Sequence, residues 1–536
     1  MHYIKKLHNL IQNLTNRQVY ILLALLIVLA YINVVNAPFI WDDRGLIVGN
    51  EFIRSFSYYK EWFTENSLKG AGIEASNLYR PLQLFFHTII YSLFELKETP
   101  YHLLNILLHI INSCLVFSLF KELKLSHVLS ICATLVFAVH PVHTELVSYI
   151  SGLPDLLAVF FTLSGLLSFI QRKYLYTLTF LILGFCSKEL GVALFALAGL
   201  ITVYNWSEYT PQIKSEKIKW LIIYACITLA YITLRLTVLN FTGSLSLNFS
   251  EGIYTSHLSV RLITFISILP EYVKLILAPF NLFFEKPFEI YTTLFTTKGL
   301  FGVLVLLLGS TLSYLSLKKK KIFFFGFAWF FISIAPVSGV IPSNAIYTEH
   351  WLYLPLIGVF IMLISGLMHI QSKKSQAYIL IPTIIIILLF TTVTINRNKD
   401  WNKPVQFFKN EITHNPTSPR LYNQLGRILL EEGDYQSAKE YLMKGIQIDT
   451  KNSIPLLRYR LGETYLRLED THAGALQYFE ILKINPNYIP AHNMLEKIFR
   501  QSGYNSHANT FQEFIQKIQN GGTVNYAEIE PLHISK

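Results

Sequence analysis

The feature that most constrains this chain is a succession of apolar runs, each near the length needed to cross a bilayer. They lie near residues 19–35, 102–120, 127–140, 154–170, 174–186, 188–204, 219–239, 298–317, 322–341, 350–369 and 377–395. A helix needs about 20 residues to span the hydrocarbon layer, and backbone polar groups in lipid must be satisfied within the segment, so runs of this kind are read as helices. With 52% hydrophobic and only 15% charged residues in 536, the chain is too apolar for a soluble globule. The expected fold is all-α, a polytopic membrane bundle of about eleven spans. The first run follows Lys5, Lys6 and Arg17, is longer than a secretory h-region and lacks a small-residue cleavage site, so it reads as a retained anchor.

Charge then orients the spans. The net charge of +11 is concentrated in short loops: KELK (121–124), QRK (171–173), KSEKIK (214–219), KKKK (318–321) and SKK (372–374). Positive-inside sorting accounts for this distribution, places these loops in the cytoplasm with residues 1–18, and leaves no nucleic-acid partner to be inferred. Two further apolar stretches cannot then be ordinary spans. Residues 81–96 are expected as an interfacial helix within a long first external loop, 36–101. Residues 258–280, interrupted by Pro270 and Glu271, are expected to return to the side they came from. The four cysteines, Cys114, Cys132, Cys186 and Cys226, lie in apolar runs and read as small buried hydrophobes with no zinc or disulfide spacing.

After residue 396 the composition turns polar and a repeat emerges. Leu425-Gly426 recurs as Leu461-Gly462, and Asn415-Pro416 as Asn485-Pro486. Tyr422, Leu425, Gly426, Gly433 and Ala438 follow the tetratricopeptide pattern, in which small residues let two antiparallel helices approach closely. A second unit carries Leu461, Gly462, Tyr465 and Pro486, and a looser third Leu495, Phe499, Gly503 and Ala508. The transmembrane domain is therefore expected over 19–396, a repeat solenoid over 397–519 and a tail over 520–536.

Ionisable residues at membrane depth are costly and are functional candidates by default. Here they gather at the non-cytoplasmic ends of the spans. Asp42 and Asp43 follow the first span. HPVHTE supplies His140, His143 and Glu145, and SGLPDLL supplies Asp155. SKE supplies Lys188 and Glu189, Arg235 lies near the outer end of 219–239, and EHWLYLP supplies Glu349, His350 and Tyr353. Each has a plain structural alternative: a cap, a snorkelling lysine, a structural ion pair. The HxxH spacing with a nearby Glu is a weak metal signal. Together the set suits sugar transfer from a lipid phosphate. Phosphate is already a weak base, so one carboxylate to take the acceptor's proton and cations to hold the departing phosphate suffice.

WDD at 41–43, YRPL at 79–82, HPVHTE at 140–145, SGxxDLL at 151–157, SKE at 187–189 and EHWLYLP at 349–355 occur in this order ahead of tetratricopeptide repeats. The ordered set resembles the transmembrane and tetratricopeptide-containing O-mannosyltransferases and, more distantly, integral-membrane glycosyltransferases of the GT-C type. The resemblance covers nearly the whole chain. It implies a GT-C-type helical bundle, a polyprenyl-phosphate sugar donor, inversion at the anomeric carbon, and transfer to a protein hydroxyl on the extracytoplasmic face. The family's acidic pair maps onto Asp42 and Asp43, the first as base. Arg80, His140, His143, Glu145, Asp155, Lys188, Glu189, Arg235, Glu349, His350 and Tyr353 are the expected donor-phosphate and substrate contacts. Relatives often carry a basic residue between the Gly and Asp of SGxxDLL, where this chain has Leu153 and Pro154, so His143, Lys188 or Arg235 would have to compensate. No cofactor and no metal ligand set are expected, a divalent metal being the alternative. The repeat groove is expected to bind a protein acceptor or partner. The rival functions are a glycan polymerase or ligase and a lipid-linked glycan transporter. The composition, rich in Ile, Lys and Asn, suggests a bacterial inner membrane with a periplasmic site, or the ER lumen if the chain is eukaryotic.

Overall fold

A computed structural model describes every residue except 1, 74–75, 243–252, 288, 318–320, 342–344, 369–372, 451–452 and 533–536. Most of the KKKK loop, the first residue of SKK, the end of the 350–369 run and the last four residues of the tail therefore lie outside the described residues. Every described element is helical. Met1–Phe284 with Phe288–Asn402 form one compact unit, and Glu285–Pro287 with Lys403–Lys536 form a second.

Among the described residues of the first unit, seven helices are long and apolar enough to cross a membrane: Asn16–Val34, Glu98–Glu122, Ile150–Ile170, Pro211–Leu236, Thr297–Leu317, His350–Leu367 and Ile379–Trp401. The bent pair His127–Ala138 and Pro141–Val147 makes an eighth if it is one span. The remaining three of the eleven expected spans are shorter apolar helices, Tyr174–Phe185, Glu189–Tyr204 and Ile322–Val337. Small residues let neighbouring helices touch by their backbones, as membrane packing favours. A Cβ on Gly326 would lie 2.6 Å from the Gly358 carbonyl oxygen, and one on Gly358 2.5 Å from that of Gly326.

One expectation needs correcting. Residues 258–280 are not broken at Pro270: a continuous helix runs over Leu258–Leu277 with the proline inside it. An interior proline strips the carbonyl four residues back of its donor, which ordinarily bends or ends a helix. Here that carbonyl belongs to Ile266, and Gly302 of the helix Thr297–Leu317 sits directly against it, so that a Cβ on Gly302 would lie only 1.9 Å from the Ile266 oxygen. The neighbouring helix covers the vacated carbonyl, and the turn survives. Gly302→Ala is expected to force these two helices apart at a cost of about 1–3 kcal/mol. Thermal unfolding in detergent would show it, and an unchanged midpoint would reject the contact.

The first and last of these candidate spans are tied together by asparagines. Asn398 Nδ2 donates to the Ala30 carbonyl at 2.9 Å and to Asn33 Oδ1 at 3.1 Å, and Asn402 Nδ2 donates to the Asn33 carbonyl at 2.9 Å. The last helix extends to Trp401, past the composition change at 396. Between the first two spans the chain folds on itself. Phe39, Leu46, Ile47, Phe52, Trp62 and Leu84 form a small apolar core with Ile150, and the 81–96 stretch is the helix Pro81–Phe94.

Among the described residues, the second unit contains three helix pairs: Pro419–Glu432 with Tyr435–Ile448, Pro455–Arg467 with Thr471–Ile484, and Ile489–Gln501 with Asn505–Gln519. Each pair opens with a proline in its first turn, where the missing N–H costs nothing. Gly426 and Gly462 fall where the paired helices cross: a Cβ would lie 2.4 Å from Leu442 at the first and 2.7 Å from the Tyr478 ring at the second.

Candidate active site

The turn that carries Asp42 and Asp43 is shaped by the aromatic residue before it. Trp41 has φ 49°, a left-handed conformation that a bulky side chain adopts only at a cost. Packing holds it there. The indole is buried against Phe284 (centroids 5.2 Å), which also meets Tyr149 (5.2 Å) and Trp401 (5.9 Å). Strain of this kind persists where the surroundings over-determine the backbone, often at functional sites. The next peptide is held as well: the Asp42 N–H donates to Tyr149 Oη at 2.9 Å.

The two acids then part company. Asp42 is exposed, whereas Asp43 is 1% exposed. One Asp43 oxygen accepts from both the Ser151 N–H (2.9 Å) and the Ser151 hydroxyl (2.5 Å), and the other accepts from the Ile40 N–H (3.2 Å). Asp43 thus pins the acidic turn to SGLPDLL. Tyr149 and Ser151, with Asn105 holding the Tyr149 carbonyl at 2.9 Å, were not among the candidates from sequence. The aromatic residue two positions before SG was the available signal.

Burial pushes the Asp43 carboxyl up to about 7, outweighing the three donors that favour its ionised form, and Asp42 adds a smaller upward push. The sign follows from linkage. A carboxyl whose folded pKa exceeds its unfolded value stabilises the fold fully below about pH 4, and that contribution is lost as pH rises through about 7. The wild-type unfolding temperature is therefore expected to fall between pH 5 and 8 relative to Asp43→Asn, which carries no such proton. Parallel profiles for the two proteins would contradict this. Burial, with the charges of Asp42 and Asp43, also holds the Tyr149 phenol well above its ordinary pKa, so it stays a neutral hydrogen-bonding group.

One turn beyond Ser151, Asp155 opens its helix. Lys188 Nζ donates to both Asp155 carboxylate oxygens at 2.7 Å, and the two side chains are only 15% and 10% exposed. Arg80 and His350 lie within electrostatic reach of Asp155. Glu145 accepts from the His350 N–H (3.0 Å) and bonds its Nδ1 (2.7 Å), which joins HPVHTE to EHWLYLP. Arg235 donates to Glu189 at 3.0 Å and to the Asn77 carbonyl at 2.8 Å. Leu82 of YRPL donates its N–H to the Cys186 carbonyl at 3.0 Å, beside SKE.

Besides Asp43, Glu145 and Asp155, four more of the candidates are buried. His140 is buried and bonds the Ile276 carbonyl at 3.0 Å. His143 is wholly buried between Phe137 (4.6 Å) and Tyr353 (4.5 Å). The Tyr353 hydroxyl is bonded to His109 Nδ1 at 2.7 Å, and buried Glu349 accepts from the Phe283 N–H at 2.9 Å. Among the described residues, no three His, Cys, Asp or Glu side chains converge as metal ligands.

Comparison with known proteins adds three findings. The tetratricopeptide repeat family model matches residues 419–452. Human "Protein O-mannosyl-transferase TMTC3" is 24% identical over 517 residues, covering 87% of this chain and 55% of that protein. The Caenorhabditis elegans "Protein O-mannosyl-transferase F38B6.6" is 24% identical over 453 residues, covering 81% and 63%. The chain thus spans roughly half to two thirds of the length of these relatives. Among solved structures, ArnT from Cupriavidus metallidurans bound to undecaprenyl phosphate aligns over 89% of this chain and 80% of that one, at 12% identity and a TM-score of 0.37.

Proposed function

We propose that this homologue of the protein O-mannosyl-transferases is an inverting membrane glycosyltransferase, moving a sugar from a polyprenyl-phosphate donor to a protein hydroxyl on the extracytoplasmic face. The observation that carries the reading is the division of labour in the acidic pair. Asp42 is exposed on a strained, clamped turn, and Asp43 is consumed in holding that turn against Ser151. Asp42 takes the proton of the acceptor hydroxyl as its oxygen attacks the anomeric carbon. The bond from that carbon to the phosphate oxygen breaks, and the phosphate leaves with the electron pair. A single displacement inverts the centre. The leaving phosphate is a weak base and needs no acid.

His350 is a second candidate base. Glu145 fixes its Nδ1 side, and its Nε2 reaches solvent without a partner among the described residues. A carboxylate behind an imidazole orients the ring for proton transfer. Loss of transfer in His350→Gln with full activity in Asp42→Asn would favour it.

The repeat unit is proposed to guide the protein acceptor, since solenoids of this kind offer a concave surface to extended chains. Mass spectrometry of extracytoplasmic proteins from cells with and without this protein tests the whole reading. Hexose-modified Ser or Thr that disappear with the protein and return with it are expected. An identical glycoprotein profile in both would reject the function.

A further inference from the structure

We propose that Phe284 is a positioning residue for the acidic turn, held from the repeat unit through its neighbour Glu285, so that folded repeats set the catalytic geometry as well as offering a surface to an acceptor. The proposal rests on the glycosyl-transfer reading above and adds a residue to it. The chain leaves the first unit for the second at two places, after Phe284 and after Asn402. Phe284 and Trp401, at or beside these exits, pack on each other and on Tyr149, whose hydroxyl accepts from the Asp42 N–H. Phe284 also packs on Trp41, the residue in the left-handed conformation. Both exits therefore leave from the aromatic cluster that clamps the acidic turn.

Residues 281–287 form no helix, so the place of the Phe284 ring depends on what holds its neighbours. On one side the Phe283 N–H donates to Glu349 at 2.9 Å, within the first unit. On the other side Glu285 is bonded within the second unit. Its N–H donates to Glu411 Oε2 at 3.1 Å, its carbonyl accepts from Asn415 Nδ2 at 3.2 Å, and its carboxylate accepts from the Ser418 hydroxyl at 2.5 Å. Ser418 stands at the N-cap of Pro419–Glu432, the first helix of the repeats, yet its side chain caps nothing. A serine at that position ordinarily accepts from the helix's own N–H groups, which contributes about 1 kcal/mol. Here the hydroxyl is given to Glu285 instead. One peptide bond joins this anchored residue to the ring that clamps Trp41. A reacting group misplaced by about 1 Å loses as much as ~10²-fold in rate, so a link that fixes the turn bears directly on what Asp42 can do.

The test uses the full chain purified in detergent and follows hydrogen exchange by mass spectrometry. The reporters are the amides of Asp43, Arg44 and Leu46, which donate to the carbonyls of Ile40, Trp41 and Asp42 and exchange when the turn opens. Glu285→Ala, a change confined to the second unit, is expected to speed their exchange about tenfold, as the loss of a hydrogen bond to a charged group would. Glu285→Gln keeps an oxygen for the Ser418 hydroxyl and is expected to stay near wild type. Phe284→Leu is expected to speed the same amides. Wild-type exchange of the reporters in Glu285→Ala, even with faster exchange over 404–432, overturns the proposal, because Glu285 would then serve the repeats alone. Wild-type exchange in Phe284→Leu overturns it too. Should Glu285→Ala fail to fold, Ser418→Ala decides: faster exchange of the reporters supports the link, and wild-type exchange rejects it. Transfer from undecaprenyl-phosphate mannose to a threonine peptide is measured beside the exchange. Glu285→Ala is expected to lose severalfold in kcat at an unchanged KM for the peptide, whereas a damaged acceptor groove would raise KM; an effect on KM alone overturns the proposal. If wild type transfers nothing, the transferase reading falls, and the exchange rates still decide whether Glu285 holds the turn.

Discussion

Asp42→Asn is expected to transfer sugar about 10²- to 10⁴-fold more slowly than wild type while inserting and folding normally, the usual loss when general-base help is removed. Two features make this variant informative. The main-chain bonds that set the turn, the Asp42 N–H to Tyr149 Oη and the Leu46 N–H to the Asp42 carbonyl, survive any change of side chain. The side chain is exposed, so an isosteric amide should change stability by no more than about 0.5 kcal/mol. Asn keeps the shape and cannot take the proton. Asp43→Asn is expected to be impaired less, because its contribution is to position the turn through Ser151 and Ile40. The measurement is single-turnover transfer from a polyprenyl-phosphate sugar to an acceptor peptide, normalised to folded protein. A wild-type rate in Asp42→Asn with a dead Asp43→Asn would exchange the two roles, and activity in both would reduce the pair to a solvated turn.

The second large effect concerns stability. Lys188→Met is expected to destabilise the protein by about 3–5 kcal/mol, the usual result of removing one partner of a buried ion pair and leaving the other charge uncompensated. Both side chains of the Lys188–Asp155 pair are largely shielded, and both carboxylate oxygens depend on the one ammonium. Restoring neutrality with Lys188→Met and Asp155→Asn together should recover much of the loss. Arg235→Gln should cost less, because its partner Glu189 is 43% exposed and can be solvated. Urea unfolding in detergent would measure all of these. A Lys188→Met protein within about 1 kcal/mol of wild type would mean that the pair is not the anchor it resembles.

The sequence by itself determined those features that depend on neighbours along the chain. Apolar length gave the helical membrane class, and the small-residue repeat gave the paired helices that Gly426 and Gly462 allow to touch. The order of the short polar motifs marked the residues that cluster. Which charges remain open was decided only by the tertiary structure, because burial and pairing come from residues remote in sequence. Asp43 is spent on Ser151, 108 positions away, Lys188 on Asp155, 33 away, and Glu145 on His350, 205 away. Read along the chain, Asp42 and Asp43 are equivalent acids, and Lys188 and Arg235 are equally available cations. Pro270 is the same case in the backbone. Local chemistry tends to end a helix there, yet the helix runs on through the proline, with Gly302 of another helix close against the Ile266 carbonyl. A carboxylate or carbonyl has the same intrinsic appetite for a donor everywhere; only the fold determines which of them has already been satisfied.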